Sequence, residues 1–405
     1  MREVHTRSLI PAPMHPRTTL TLAGQRTDAC YNSVIPPIYQ TATFRFEDVG
    51  QTKGYDYTRS GNPTRRALEE TLATLDGGAG AVATTSGMAA VSTLLALLDA
   101  GAHVVCSHDC YGGTARLLNT LQQQGKLAVS FVDLTRPSAL RGALRPETRA
   151  VWIETPSNPL LRLVDVAAVA AEAAAHGLTV VVDNTFLSPL QQQALALGAD
   201  YVVYSTTKYL NGHSDVVGGA VVARTPEGAE RLQFTANAHG TTAPPFDSWL
   251  VLRGLKTLPL RLLQHETNAL VVARFLDDHP AVERVYYPGL ETHPGHELAL
   301  RQQTGFGGMV SFELRGGPDA VRHALRATRV FALAESLGGV ESLIEQPATM
   351  SHASMLPEQR AAAGINDALI RLSVGIEAEG DLLDDLDRAL AFRPAHTRRP
   401  AAVPA

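Results

Sequence analysis

Lys208 stands in Ser205-Thr206-Thr207-Lys208-Tyr209, directly after the strand-like run DYVVYS. A lysine held between hydroxyl residues and an apolar segment is desolvated, which lowers its pKa and leaves a nucleophilic amine. The neighbouring hydroxyls suit a phosphate. Residues 211–215 follow and read as a polar loop with no packing role. Two further features end predicted strands. Asp183 closes LTVVVD, where a carboxylate can accept a hydrogen bond from a protonated ring nitrogen and hold it charged. Thr85-Ser86-Gly87-Met88 runs into AAVSTLLALL, and a small-residue turn opening a helix offers free amides and a positive dipole end to an anion. Each feature alone has a plainer reading: a surface lysine, a carboxylate capping a turn, a serine N-cap. Jointly they compose a site for pyridoxal 5'-phosphate. The helix terminus and hydroxyls take the phosphate, Asp183 the pyridinium, Lys208 the Schiff base, and Tyr111 of DCYGGT the ring face.

Those residues need elements to carry them. AVATTSG, HVVCSHD, LAVSFVDL, AVWIETP, LTVVVDN and ADYVVYS are short apolar or β-branched runs separated by helix-length stretches such as VDVAAVAAEAAAHG. That alternation predicts βαβ units and a mainly parallel, buried sheet whose ligand site lies at the strand ends. Pro63 is placed for the first turn of a helix over ALEETLATL, which stops at Gly77-Gly78. The reading divides the chain into an extended arm (1–61), a large cofactor domain (62–255), a smaller α+β domain (256–392) and a mobile tail (393–405). In the smaller domain a long helix precedes strands near 285–287, MVSFEL and LIRLSVGIE.

Composition narrows the class. With 405 residues, 45% hydrophobic and 19% charged, the chain has material for a large core and is not disordered as a whole. A net charge of −5 gives no footprint for nucleic acid or an anionic membrane. Three cysteines make no disulfide framework, and the proline-broken N-terminus lacks an apolar leader segment, so a cytoplasmic location is expected. No metal is expected: His296-Glu297 lacks the second histidine of a zinc-protease motif, and Cys106 and Cys110 have no partner pair. Ser86 does not sit in a GxSxG elbow.

From 34 to 391 the chain resembles the cystathionine γ-synthase/γ-lyase family, the cysteine- and methionine-metabolism branch of the fold-type I pyridoxal-phosphate enzymes. YDYTRSGNPTR, TSGMAA, DCYGGT, ETPSNPLL, VVDNTFLSP, STTKYLNGHSDVVGG, LRGLKTL, AESLGGVESLIEQPATMSHASM and IRLSVGIE carry the likeness. The resemblance implies an α/β fold with a seven-stranded sheet, and a homotetramer of catalytic dimers in which Tyr57 and Arg59 reach the cofactor phosphate of the neighbouring subunit. It places Gly87, Met88, Ser205 and Thr207 on the phosphate from within the chain, Tyr111 on the ring and as a catalytic acceptor of the incoming amine's proton, Asp183 at the ring nitrogen and Lys208 as anchor and proton carrier. Asp56, Arg116, Asn158, Glu335, Ser336 and Arg371 are the implied substrate contacts, with Arg371 clamping the α-carboxylate. Without the resemblance Arg371 reads as a surface ion pair.

Within the family, Glu335-Ser336 is similar to synthases and γ-lyases, and Gly113 replaces the cysteine of methionine γ-lyases. The resemblance therefore implies γ-replacement joining an O-acylhomoserine to cysteine. γ-Elimination of cystathionine is the alternative, and a non-catalytic cofactor-binding homologue a remote one. Ser60 follows Arg59 where some succinyl-using synthases carry a second arginine, so O-succinyl and O-acetyl donors both stay open.

Overall fold

The computed structural model describes residues 14–391 apart from positions 26, 29, 137, 354 and 356. The tail at 393–405 and the first thirteen residues of the arm lie outside the described residues. Seven strands form the larger sheet: β1 Gly80–Thr84, β2 His103–Ser107, β3 Ala128–Val132, β4 Thr148–Glu154, β5 Thr179–Asp183, β6 Tyr201–Tyr204 and β7 Gly219–Ala223. Their order is β1-β7-β6-β5-β4-β2-β3. Alternate residues of these strands enter two separate apolar clusters. Val105, Ile153, Val182 and Tyr204 face one way; Val104, Cys106, Trp152, Val181 and Val203 face the other. Helices cover both faces, which is why the strands read as unbroken apolar runs rather than alternating ones.

The strand β7, from GGAVVA, is the one that the run-by-run sequence reading does not single out. It pairs antiparallel with both β1 and β6 while the remaining pairs are parallel. Residues 205–218 contain no crossover helix, and without one a returning strand runs antiparallel. This reversal folds the Lys208 segment into a tight loop at the sheet's carboxyl edge. The helix Pro63–Asp76 forms as expected: the Asn62 side chain caps the Thr64 and Arg65 amides, proline sits in the first turn, and Gly77 ends it at φ 67°.

A second sheet has order β10-β11-β12-β9-β8, with β8 Val282–Tyr286, β9 Met309–Leu314, β10 Ala332–Leu333, β11 Leu343–Glu345 and β12 Leu369–Ser373. Its own apolar cluster includes Phe312, Phe331, Ile370 and Leu372. The 21-residue helix Leu258–Asp278 serves both clusters, giving Leu258 and Leu262 to the first and Val272 and Leu276 to the second. No helix among the described residues is long and apolar enough to cross a membrane.

One expectation is corrected here. The loop 211–215 does pack: Asn211 is buried and donates to Asp215 Oδ1 at 2.7 Å. Next to it the Arg261 guanidinium, also buried, donates to the carbonyls of Tyr209, Leu210 and Gly254. A buried cation satisfied by three carbonyls holds this segment rigid, so polarity of sequence was a poor guide to its role.

Candidate active site

Between the carboxyl edge of the large sheet and the second sheet lies a cavity of about 340 Å³. Its wall contains Gly87, Met88, Tyr111, Asn158, Asp183, Ser205, Thr207, Lys208, Glu335, Ser336 and Arg371, eleven of the residues singled out from sequence, from seven separate stretches of chain. At one end the helix Gly87–Leu95 begins. The Ser86 hydroxyl caps the Ala89 amide, so the serine is an N-cap as well as a site residue, and the amides of Gly87 and Met88 have no intrahelical acceptor. A Cβ at Gly87 would lie 3.0 Å from the Ser205 Cβ, a tight contact; the helix end and the Ser205 hydroxyl thus converge on one small volume. Free amides and a hydroxyl at that end suit a phosphate.

Lys208 Nζ donates to Ser336 Oγ at 2.8 Å. Burial, reinforced by the Arg371 charge, lowers its pKa to about 8. Ser336 adopts φ 91°, a costly conformation for a serine, and its carbonyl accepts from Arg371 Nη2 at 2.7 Å. The floor of the cavity is acidic. Asp183 and Glu154 end adjacent strands and are direct register partners. Burial pushes both carboxyls up. The Thr185 hydroxyl and amide hold Asp183 at 2.6 and 3.1 Å. An acidic floor fits a heterocycle that carries its own positive charge, as a pyridinium does. Phosphate end, acidic floor, aromatic wall and buried amine therefore all suit pyridoxal phosphate.

Arg371 is not the surface ion pair of the plainer reading. It is 2% exposed and pairs with the buried Glu345 at 3.0 Å, a direct register partner across β11 and β12. Nη1 also donates to Asn158 Oδ1 at 2.9 Å, while Nε has no partner among the described residues. A buried, unsatisfied donor beside a guanidinium fork is what a ligand carboxylate satisfies. Glu345 in turn accepts from Ser351, whose hydroxyl also meets His352 Nδ1 at 2.9 Å; His352 Nε2 lies 3.2 Å from the Asn158 carbonyl. Glu154, Glu345, Thr185 and Ser351 were given no role at the sequence level. Thr185, two residues past Asp183, was the one with a local signal.

Four expected residues are not brought to this cavity in one chain. Asp56, Tyr57 and Arg59 belong to the arm. Tyr57 is 48% exposed, Arg59 donates to the Asn237 carbonyl at 2.7 Å, and Asp56 accepts from Ser60 and the Tyr57 amide. Asp56 and Arg59 line a different, polar cavity beside the helix Pro63–Asp76. Arg116 is exposed on the helix Gly112–Gln123 and does not line the main cavity.

Residues 17–391 match the family described as Cys/Met metabolism PLP-dependent enzyme. The chain belongs to this family. Similar proteins carry several activities. A cystathionine β-lyase of Lactococcus lactis subsp. cremoris is 49% identical over 374 residues, covering 92% of this chain and 98% of that protein. A cystathionine γ-synthase of Mycobacterium tuberculosis H37Rv is 50% identical over 377 residues, 93% and 96% of the two chains. Among solved structures, cystathionine γ-synthase from Xanthomonas oryzae pv. oryzae in complex with cystathionine superposes at TM-score 0.92 with 54% identity, covering 94% and 98%. Cystathionine γ-lyase from Lactobacillus plantarum gives 0.90 with 44% identity, covering 93% and 99%. The protein is thus a pyridoxal-phosphate-dependent transsulfuration enzyme of the cysteine/methionine-metabolism family, with the α/β architecture that its sequence predicted. Membership does not separate synthase from lyase, since relatives of both kinds are about equally similar.

The stacking wall of this family member carries a sharp constraint. A Cβ at Gly113 would lie 2.4 Å from Tyr111 Cε1 and 2.8 Å from Met88 Sδ, closer than side chains tolerate. Gly113→Ala should therefore rotate the Tyr111 ring off its seat. We expect cofactor affinity about tenfold weaker and a displaced visible absorption band, measured on the purified holoenzyme, with little change in folding.

Proposed function

We propose that the enzyme is a cystathionine γ-synthase, joining an O-acylhomoserine to L-cysteine with release of the acyl group as a carboxylate. The observation that carries this reading is Glu335 on the cavity wall, on the same β10–β11 connection whose Ser336 touches Lys208. It adds an acidic group to the cavity wall that also holds the Arg371 fork, which supports binding of an amino acid bearing both a carboxylate and an ammonium group.

When bound, pyridoxal phosphate supplies the electron sink that makes the Cα–H and Cβ–H bonds acidic. The chain's residues then have separable tasks. Arg371 holds the substrate α-carboxylate, Asn158 steadies that guanidinium, and Tyr111 covers the ring face. Asp183 keeps the ring nitrogen protonated. Lys208 Nζ, freed by the incoming amine, takes the Cα proton and returns protons as the product forms; an amine with pKa about 8 is close to the working pH, where general bases are most effective. The sulfur enters as the cysteine thiolate at Cγ after the acyloxy group leaves. Substrate contacts from Asp56 and Arg116 complete the reading.

The same reading includes the assembly. Tyr31, Val34 and Val49 of the arm are 91%, 73% and 96% exposed, an unusual apolar display for a free surface. A neighbouring copy that covers this arm also receives Tyr57 and Arg59 at its own cofactor phosphate, in a homotetramer of catalytic dimers. The arm (1–61), cofactor domain (62–255) and smaller domain (256–392) are then the working units.

Elimination is the second reading, favoured by the lyases among the similar proteins. The two part on products. With O-succinyl- or O-acetylhomoserine plus cysteine, the synthase releases the acyl carboxylate and accumulates cystathionine. With cystathionine alone it should be slow by about a hundredfold or more in comparison. Fast formation of 2-oxobutyrate from cystathionine would instead establish a γ-lyase, and fast pyruvate a β-lyase.

A further inference from the structure

Glu154 ends β4 at the cavity floor and is 5% exposed. Its Oε2 accepts the backbone amide of Tyr111 at 2.6 Å, and its register partner on β5 is Asp183. One side chain thus joins the aromatic wall to the acidic group beneath the ring. Tyr111 is the N-cap of its helix and has no side-chain cap bond, and its ring is 43% exposed, so its own side chain does little to fix its position. The Glu154 contact supplies what the helix terminus lacks.

We propose that Glu154 is a positioning residue for the cofactor ring: its carboxyl, set beside Asp183 and bonded to the Tyr111 amide, fixes the aromatic wall relative to the acid that meets the ring nitrogen. The inference rests on Tyr111 and Asp183 receiving the ring between them, as in the function proposed above.

The electrostatics of the floor agree. The charged or ionisable groups acting most on Glu154 are Asp183 on β5 and Asp109 and Cys110 in the turn after β2, with Asp109 in turn paired to Arg162 at 3.3 Å. Burial raises the Glu154 carboxyl well above its usual range, and the Asp183 charge raises it further. Burial also raises Asp183, but the Thr185 hydroxyl and amide pull it back. The two neighbouring carboxyls, both pushed up, form one coupled acidic pair on the floor. Glu154 can accept the Tyr111 amide in either protonation state, through an oxygen that carries no proton.

Holoenzymes carrying E154Q, E154A and D183N test this through the cofactor dissociation constant and the position of the visible absorption band. Glutamine keeps the acceptor, so E154Q should bind cofactor within about threefold of wild type with its band in place. E154A leaves the Tyr111 amide without its acceptor and should weaken cofactor binding about tenfold or more, with a displaced band. If E154A does not accumulate, E154D withdraws the acceptor by one methylene and should act in the same direction. Wild-type affinity and spectrum in E154A or E154D would overturn the positioning role. D183N separates the underlying placement: if it alone weakens binding, the ring lies where proposed and only the Glu154 inference fails, whereas wild-type binding in D183N removes the placement itself.

Discussion

Lys208→Ala should bring turnover close to zero while leaving the fold intact. The side chain combines two tasks on one nitrogen, covalent attachment of the cofactor and proton transfer at Cα. Loss of both should lower kcat by at least about ten-thousand-fold. Its hydrogen bond is to the neutral Ser336 Oγ, and among the described residues it makes no ion pair, so removing this partly buried amine should leave the thermal midpoint near that of the parent. Borohydride treatment of the wild-type holoenzyme should fix the cofactor to the peptide containing Lys208, and the variant should show no such mass increase. The pH dependence has a definite sign. Capture of the cofactor aldehyde needs the neutral amine, whose pKa burial and Arg371 lower to about 8. The rate of cofactor capture by apoenzyme should therefore rise between pH 7 and 9 and then level, rather than climb toward the range of an ordinary lysine. Full activity in the variant would remove Lys208 from the chemistry.

How far this site could be read from sequence depended on whether each residue carries its signal locally. Lys208, Asp183 and Ser86 each follow a β-branched run, and a residue at the end of a predicted parallel strand is already at the sheet edge where ligands bind. Strand β7 was harder, because two glycines blur its start and its direction depends on the absence of a helix in residues 205–218. Glu154 and Glu345 were harder still. Glu154 gains its meaning from standing beside Asp183, 29 positions away, and Glu345 from facing Arg371 across an antiparallel pair. Both relations are strand registers, which no single stretch of sequence encodes. A carboxylate inside an apolar strand is nevertheless costly unless it is protonated or paired. WIETP and LIEQP each placed such a carboxylate in plain view. The loop 211–215 erred in the opposite direction: its polarity suggested solvent, but its partner was a buried arginine 50 residues later.

Arg371→Ala should cost both stability and substrate affinity, and the two losses can be separated. The guanidinium lies against Glu345, which is 1% exposed and whose second carboxylate oxygen has no partner among the described residues. Removing the arginine leaves that carboxyl buried and uncompensated, a change that costs about 3–5 kcal/mol in comparable pairs. The thermal midpoint of R371A should fall accordingly. Replacing Glu345 as well, in the R371A/E345Q double variant, removes the orphaned charge while keeping an acceptor for the Ser351 hydroxyl. Stability should then recover most of the loss. Binding should not recover, because the donors for the substrate α-carboxylate are still gone; KM for the O-acylhomoserine should stay about a hundredfold above wild type in both variants. A double variant that regains stability and KM together would mean that Arg371 acts only as a structural counter-ion. One that regains neither would mean that the lost bonds to Asn158 and the Ser336 carbonyl, rather than the Glu345 charge, dominate its contribution to the fold. The pair is informative because both side chains are buried and solvent cannot screen the difference away; with the E345Q single variant completing the double-mutant cycle, the coupling between the two residues is read directly.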